Sequence, residues 1–400
     1  MQQLSGLDAS FLYLETAKAP MHVAGLAIYD QSSAPGGHIG FEQLMNFYQE
    51  RMHLARAFRE RIVKVPFNLD HPYWIEDPNF DIEFHMRHIA LPKPGDWRQL
   101  CIVAARLHSR HLDVNRPLWE AYVIEGLDNI PGLPKGSYAI LTKIHHAAID
   151  GVTGSEITAA IHDLEPNMTV APPQRPWIAD REPTLTELMV RTNINNIRHP
   201  MRLSRTIARS VPALRRAVVQ MRANRIDVPD SLKRVPKTRF NVPVSAHRVF
   251  EGRSFSLDTI KLIRKRVEGA TVNDVVLAIC GGALRKYLEA KDELPDESLV
   301  AMAPISVRSE EEKGAGGNQV SAMTVAVRSD VEDPIERLEA VHEGTSRSKE
   351  MTNAIGARLM TDYAQFIPSS TAGLAALTYT LMGLANRIRP FFNSVITNVP

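Results

Sequence analysis

The chain has 400 residues, of which 44% are hydrophobic and 23% charged, with a formal net charge of +2. That length exceeds what one hydrophobic core usually organises, so two domains are expected, and the composition excludes a disordered or fibrous protein. Cys101 and Cys280 are far apart in the sequence, which excludes a disulfide framework or a thiolate metal site and favours a reducing cytoplasm.

The first half of the chain mixes short apolar runs with amphipathic helical patterns. The predicted strands are residues 22–29, 121–127 and 137–144. The predicted helices begin at Phe41 and Trp97, where apolar residues recur every three or four positions. Strands interspersed with helices indicate an α/β domain, which we place at residues 1–165.

A linker is predicted at residues 166–245. The proline-rich run EPNMTVAPPQRPW at residues 165–177 marks its start, and between Arg191 and Phe240 it carries thirteen Lys or Arg against two Asp. An apolar stripe from Leu203 to Met221 predicts basic amphipathic helices within it. The basic charge has three interpretations: a solvated helix face, attraction to anionic lipid headgroups, or nucleic-acid binding. No nucleic-acid-binding motif accompanies the charge, so we expect no nucleic-acid partner.

A second α/β domain is predicted at residues 246–400. Its predicted elements are a strand at 248–257, helices at 257–269 and 271–290, strands at 299–307 and 321–329, and a helix at 334–344. The sequence stops at SVITNVP in the middle of this pattern, so we expect the domain to be truncated at its end. The apolar segment 372–388 is too short to span a bilayer.

The most informative stretch is HHAAIDG at residues 145–151, directly after an apolar strand. Neighbouring strand side chains point to opposite faces, so His145 and His146 should have different tasks. We predict His146 at the strand end as a general base, because an imidazole titrates near neutral pH. We predict that His145 supports His146. The turn at Gly151 brings Asp150 back toward the histidines, and we predict that Asp150 fixes the tautomer and orientation of the His146 ring.

The HHxxxDG pattern matches the signature of the CoA-dependent acyltransferase superfamily. The chain resembles the bacterial wax ester synthase/diacylglycerol acyltransferase family over essentially its whole length. The similar motifs are LSGLDASFLYLET, PMHVAGLAIYD, LPKPGDWRQL, RPLWEAYVIEGL, TVNDVVLAICGGALRKYL, MAPISVR, GGN at 316–318 and the terminal TNVP.

The resemblance implies two chloramphenicol-acetyltransferase-like α/β domains, with mixed sheets flanked by helices and an active-site channel between them. It implies an O-acyltransferase that moves a fatty acyl group from acyl-CoA to a diacylglycerol or long-chain alcohol, giving triacylglycerol or wax ester. His146 would take the proton from the hydroxyl, and no acyl-enzyme would form. Acyl-CoA would be a substrate, with no cofactor and no metal.

The resemblance also implies supporting residues. Asn273 is the candidate for polar support across the domain interface, with Asp274 as its neighbour. An Asn-Asp pair before an apolar helix is equally typical of ordinary helix capping. The PLW motif ends at Trp119, which we expect to pack under the site.

The substrates imply a protein that is cytoplasmic and peripheral on the inner face of the plasma membrane, or bound to a lipid-droplet surface. Two alternatives stay open at this point: a peptide-synthetase-type condensation domain, which shares HHxxxDG, and a catalytically silent lipid-binding protein of the same fold. The sequence leaves open the preference between wax ester and triacylglycerol, the acyl chain length and the oligomeric state.

Overall fold

A computed structural model describes residues 1–149, 157–163, 165, 170–173, 178–198, 204, 234–306, 320–355 and 389–398. The strands of the first half are β1 (Gln2–Gln3), β2 (His22–Tyr29), β3 (Glu60–Val63), β4 (Tyr73–Glu76), β5 (Met86–Ala90), β6 (Trp119–Glu125) and β7 (Tyr138–His145). Its helices include α1 (Gly6–Leu14), α2 (Phe41–Arg51), α3 (Ile82–His85), α4 (Trp97–His108) and α5 (residues 185–198).

A four-stranded mixed sheet, in the order β2-β7-β6-β5, forms the centre of the first half. All its neighbours are antiparallel except β5 and β6, which run parallel. Ile140 and Ile144 lie in the cluster that α2 covers on one face. Ala139 and Leu141, on the other face, lie in the cluster that includes α4. Because helices cover both faces, β7 is a buried central strand, consistent with its nearly continuous apolar sequence.

A second, three-stranded sheet has the order β1-β4-β3 and is entirely antiparallel. Helix α1 packs between this sheet and the end of β7, since Ala9 shares a buried cluster with Ile62 and Ala147. Leu188 of α5 packs against Tyr73 on another side of the small sheet. The small sheet therefore fixes the position of both helices.

The second half contains α6 (Leu257–Arg264), α7 (Val272–Glu289), β8 (Val300–Ser306), β9 (Val320–Ala326), α8 (Pro334–Ile355) and β10 (Ser394–Val395). Its sheet has the order β10-β8-β9, with β8 antiparallel to β9 and parallel to β10. The three helices cover apolar residues of this sheet in one core. Gly281 of α7 lies so close to the carbonyl oxygen of Val327 that a Cβ there would overlap it.

The predicted α/β class with mixed sheets is confirmed. The predicted strand at 248–257 is wrong: residues 248–256 are irregular, and Ser256 caps α6 by accepting a hydrogen bond from the Thr259 amide. The segment is held instead by side-chain contacts, such as that of Arg248 with the Lys18 carbonyl.

Some sequence predictions fall on undescribed parts of the chain. Most of the predicted linker at 166–245 and all of the apolar segment 372–388 lie outside the described residues, and the domain boundaries stay a prediction. Within the described part of the chain, no helix combines the length and the apolar character needed to cross a bilayer.

Candidate active site at the end of strand β7

The main chain of the two histidines is held from both sides. The His145 amide donates to the carbonyl oxygen of Leu118, just before β6, at 2.9 Å, and the His146 amide donates to that of Met21, just before β2, also at 2.9 Å. Strand β7 ends at His145, and a turn follows in which the Ala148 amide donates to the His145 carbonyl at 2.9 Å. The predicted position of His146 at a strand end is therefore confirmed.

The alternation of strand side chains does not extend to His146, because that residue lies in the turn after β7. Both rings have neighbours at the end of α1: Phe11 of the helix stacks on His146, and Glu15, the residue that follows the helix, lies near His145. The Glu15 amide donates to the Phe11 carbonyl at 3.2 Å, which holds these two residues close together at the helix end. The expectation that the two rings face opposite ways depended on a strand that continues through His146, and β7 ends at His145.

His145 is completely buried. Its Nδ1 accepts a hydrogen bond from the Ala147 amide at 3.0 Å, so the proton of a neutral ring is on Nε2. Nε2 lies 3.7 Å from Oε2 of Glu15. Burial raises the pKa of the Glu15 carboxyl, but its contacts with His145 and with the Met21 amide outweigh that effect and lower it overall. Glu15 is thus a carboxylate that faces the Nε2–H of His145.

His146 is half-buried, and its ring centroid lies 4.8 Å from that of Phe11 with an interplanar angle of 20°. Burial, and secondarily the charge of His145, lower the pKa of His146 below its usual 6.5. The imidazole is therefore mainly neutral at pH 7 and has a ring nitrogen able to accept a proton. The contact with Phe11 limits how far the ring can swing.

A layer of buried polar side chains lies beside this pair on the same face of the sheet. His22 is directly opposite His145 in the β2–β7 register, and its Nε2 is 2.7 Å from the His108 carbonyl oxygen. Burial and the nearby Lys143 charge lower the pKa of His22 to about 3, so it is neutral at pH 7. Lys143 is fully buried, with Nζ 2.7 Å from the Arg110 carbonyl oxygen and 3.5 Å from Oε2 of Glu120.

The PLW motif supports the site from the neighbouring strand. Leu118 accepts the His145 amide bond, and Trp119 begins β6 with 1% of its surface exposed. The Trp119 indole donates to the Phe58 carbonyl at 2.9 Å and stacks on His85. The predicted packing role of Trp119 is confirmed.

Asp150 and Gly151 lie outside the described residues, so their predicted roles stay predictions. Asp274 is buried in the second half, where it completes the capping box of α7 with Thr271 and receives hydrogen bonds from His342 and Thr345. Asn273 is half-buried at the second residue of α7. No contact between this pair and the histidines occurs among the described residues.

Sequence reasoning missed Phe11 and Glu15. Their helix is started by Ser5, whose hydroxyl accepts the Asp8 amide at 3.1 Å, a pattern readable as S-x-x-D. That signal could have identified α1, although not its contact with residues 130 positions away. In the described part of the chain, no group of three or more His, Cys, Asp or Glu is placed to hold a metal ion.

Comparisons with known proteins identify the family of the chain. The profile of the wax ester synthase/diacylglycerol acyltransferase catalytic domain matches residues 4–276, and the profile of the family's C-terminal domain matches residues 316–400. A solved wax ester synthase/diacylglycerol acyltransferase from Marinobacter aquaeolei VT8 shares 27% identity and a TM-score of 0.64, covering 100% of this chain and 82% of that one.

Two curated relatives come from Mycobacterium tuberculosis strain CDC 1551, and both are provisionally named diacylglycerol O-acyltransferases. One is 33% identical over 401 residues, which covers 100% of this chain and 77% of the relative. The other, tgs2, is 31% identical over 408 residues, which covers 98% of this chain and 82% of the relative. The chain is therefore an acyltransferase that belongs to the wax ester synthase/diacylglycerol acyltransferase family.

Proposed function

We propose that this chain transfers a fatty acyl group from acyl-CoA to the hydroxyl of a diacylglycerol or long-chain alcohol, with His146 as the general base. The product is a triacylglycerol or a wax ester. The observation that carries the proposal is His146 itself: a mainly neutral imidazole, held by its main chain at the end of a buried strand. Family membership supports the two substrate classes.

The proposed reaction has two proton transfers. His146 takes the hydroxyl proton as the acceptor oxygen attacks the thioester carbonyl, and the tetrahedral intermediate carries a negative charge on the former carbonyl oxygen. Collapse of the intermediate breaks the carbon–sulfur bond, and the CoA thiolate recovers the proton from the imidazolium. A positioned base contributes about 10²- to 10⁴-fold to such a step.

His145 and Glu15 are proposed to position the base. The Glu15 carboxylate faces the Nε2–H of His145, and His145 fixes the turn through the Ala147 amide. Phe11, one helical turn before Glu15, stacks on the His146 ring. The end of helix α1 would therefore hold both histidines, His145 through the charge of Glu15 and His146 through stacking on Phe11.

Two further roles are proposed from the family resemblance. Asp150 and Gly151 would shape the turn after His146, and Asn273 would supply polar support to the intermediate's oxyanion. A single well-placed hydrogen-bond donor to an oxyanion contributes about 10²- to 10³-fold. Because Asp274 already uses its carboxylate within the second half, we assign it to fixing α7 and thereby Asn273.

The place of action is proposed to be a lipid surface, either the inner face of the plasma membrane or a lipid droplet. Diacylglycerols, long-chain alcohols and the products partition into lipid, so an enzyme that acts on them must reach that phase. The thirteen basic residues between Arg191 and Phe240 support attraction to anionic headgroups.

The proposal is tested with the purified 400-residue chain, a long-chain acyl-CoA, and either hexadecanol or a diacylglycerol. We measure CoA release and ester formation for the wild type, His146→Ala and a control, His38→Ala, whose side chain is exposed. We expect His146→Ala to lose about 10²- to 10⁴-fold in rate and His38→Ala to stay within about twofold.

Two results would contradict the proposal at different levels. Equal rates in the wild type and His146→Ala would refute the general-base mechanism while leaving the reaction intact. Failure of the wild type to release CoA with either acceptor would refute the proposed reaction and favour a lipid-binding protein of the same fold.

A further inference from the structure

Helix α5 presents an apolar stripe to solvent. Val190, Ile194 and Ile197 follow each other at spacings of four and three residues, which places them on one side of a helix. They are 53%, 43% and 72% exposed. Large apolar side chains at this spacing normally form the buried side of a helix, so their exposure on one outward face points to a partner.

The opposite side of α5 is firmly held, so the outward direction of the stripe is fixed. Leu188 and Thr192 are buried, and Leu188 packs against Tyr73 of the small sheet. The Asn195 amide donates to Oδ2 of Asp70 at 2.8 Å and to the Tyr73 hydroxyl at 3.1 Å. Rotating the helix to bury the stripe would break these contacts, which span more than 100 residues of sequence.

A basic cleft opens beside the stripe. Its volume is about 520 Å³, and it lies between α5 and strands β1 and β4. Arg191 and Arg198 line it together with Ile194, and neither arginine forms an ion pair within the described part of the chain. The acidic residue of the helix, Glu187, is already neutralised, with Oε1 2.6 Å from Nη2 of Arg181. The surface therefore combines apolar side chains with uncompensated positive charge.

We propose that the face formed by Val190, Arg191, Ile194, Ile197 and Arg198 is the surface by which this enzyme docks onto an anionic phospholipid membrane. The apolar side chains enter the headgroup region, and the two guanidinium groups bind lipid phosphates bidentately, as guanidinium geometry favours. The inference rests on the proposed function only in that the substrates are lipids.

Charge favours a membrane over a discrete protein partner. Basic residues continue along the chain after Arg198, with eleven more Lys or Arg and only two Asp before Phe240. A broad anionic bilayer satisfies such a long run of one sign without requiring matched carboxylates at each position.

The test is sedimentation of the full chain with vesicles of phosphatidylcholine alone or with 30% phosphatidylglycerol. Two α5 variants are compared: Val190→Asn with Ile197→Asn, and Arg191→Gln with Arg198→Gln. The controls use α6, which is also exposed: Leu257→Asn with Leu262→Asn, and Lys261→Gln with Arg264→Gln. We expect each α5 variant to lose at least fivefold in partition coefficient on anionic vesicles, with an unchanged melting temperature, and each α6 control to lose less than twofold.

An equal loss in the α6 controls, wild-type binding by both α5 variants, or no vesicle binding by the wild type would each overturn the docking surface. The last result would instead favour a protein partner for this face.

Failure of the proposed function can be distinguished from failure of the docking surface, because acyl transfer is also measured with acyl-CoA and hexadecanol in detergent micelles. The α5 variants should keep their activity in micelles and lose it only with vesicle-embedded diacylglycerol. Vesicle binding without any acyl transfer would leave the docking surface standing and refute the reaction.

Discussion

Replacing Lys143 with methionine tests the buried ion pair beneath the site. Lys143 lies two residues before His145 on the same face of β7 and is fully buried. Its Nζ is 3.5 Å from Oε2 of Glu120, whose side chain is 9% exposed. At an effective dielectric constant of about 20, two unit charges at this separation attract each other by about 5 kcal/mol.

The variant should lose less than that full attraction. Glu120 would keep its hydrogen bond from the Tyr122 hydroxyl at 2.7 Å and the Arg87 guanidinium at 3.5 Å. We therefore expect Lys143→Met to reduce the free energy of unfolding by about 2–4 kcal/mol, since it leaves a buried carboxylate without one of its two cations at 3.5 Å.

Thermal unfolding followed by circular dichroism measures the effect. For a domain of this size, the expected loss lowers the melting temperature of the first half by roughly 5–15 °C. Lys143→Met with Glu120→Gln should show a favourable coupling of about 1–3 kcal/mol, because the double variant leaves no unpaired charge. The exposed Lys64→Met is the control, with an expected effect within about 0.5 kcal/mol. A Lys143→Met melting temperature equal to that of the control, or additive single effects, would refute the reasoning.

Three other predictions concern single positions. Glu15→Gln keeps the side-chain shape but removes the charge that faces His145, so kcat should fall about 10-fold or more with KM nearly unchanged; wild-type kcat would exclude a positioning role. Gly281→Ala should destabilise the second half by about 1–3 kcal/mol because its Cβ overlaps the Val327 carbonyl. Gly282→Ala should cost less in a thermal melt, because its Cβ meets Nη1 of the Arg337 side chain and a side chain shifts more easily than main chain. The pKa of His22 is about 3 in the folded chain, against the ordinary 6.5 of a histidine in the unfolded chain. The unfolded chain therefore binds the proton first, and the free energy of unfolding falls as pH drops from 6.5 toward 3. Between pH 7 and pH 4.5, the free energy of unfolding of His22→Gln should therefore fall by about 2 kcal/mol less than that of the wild type. An identical fall in the two proteins would contradict the burial of a neutral His22.

The elements that sequence predicted well are those with strong local patterns. Strand β2 was predicted with its observed bounds, and β7 to within one residue, because turn residues flank apolar runs of fixed length. The period of apolar residues placed the start of α4 at Trp97. Residues 248–257 failed because their alternation resembles a strand, yet a strand forms only where a neighbouring chain completes its hydrogen bonds.

The site could be predicted only in part for a similar reason. The HHxxxDG motif singles out His146, the proposed base, because the motif consists of seven consecutive residues. The contacts of His145 with Glu15 and of Lys143 with Glu120 join residues far apart in sequence, and no local pattern indicates them. The exposure of the apolar face of α5 could not be predicted from the sequence. Apolar residues at this spacing normally indicate a buried helix face, and only the packing of the helix shows which face is exposed.

The most direct test of the account is the pH dependence of kcat/KM for acyl transfer by the wild-type chain, measured from pH 5 to pH 8. A general base must be neutral, so activity should fall as pH drops through the pKa of His146, and burial sets that pKa below 6.5. The account predicts an acid limb with an apparent pKa below 6.5 that disappears in His146→Ala along with most of the activity. A pH-independent rate, or an acid limb that persists unchanged in His146→Ala, would contradict it.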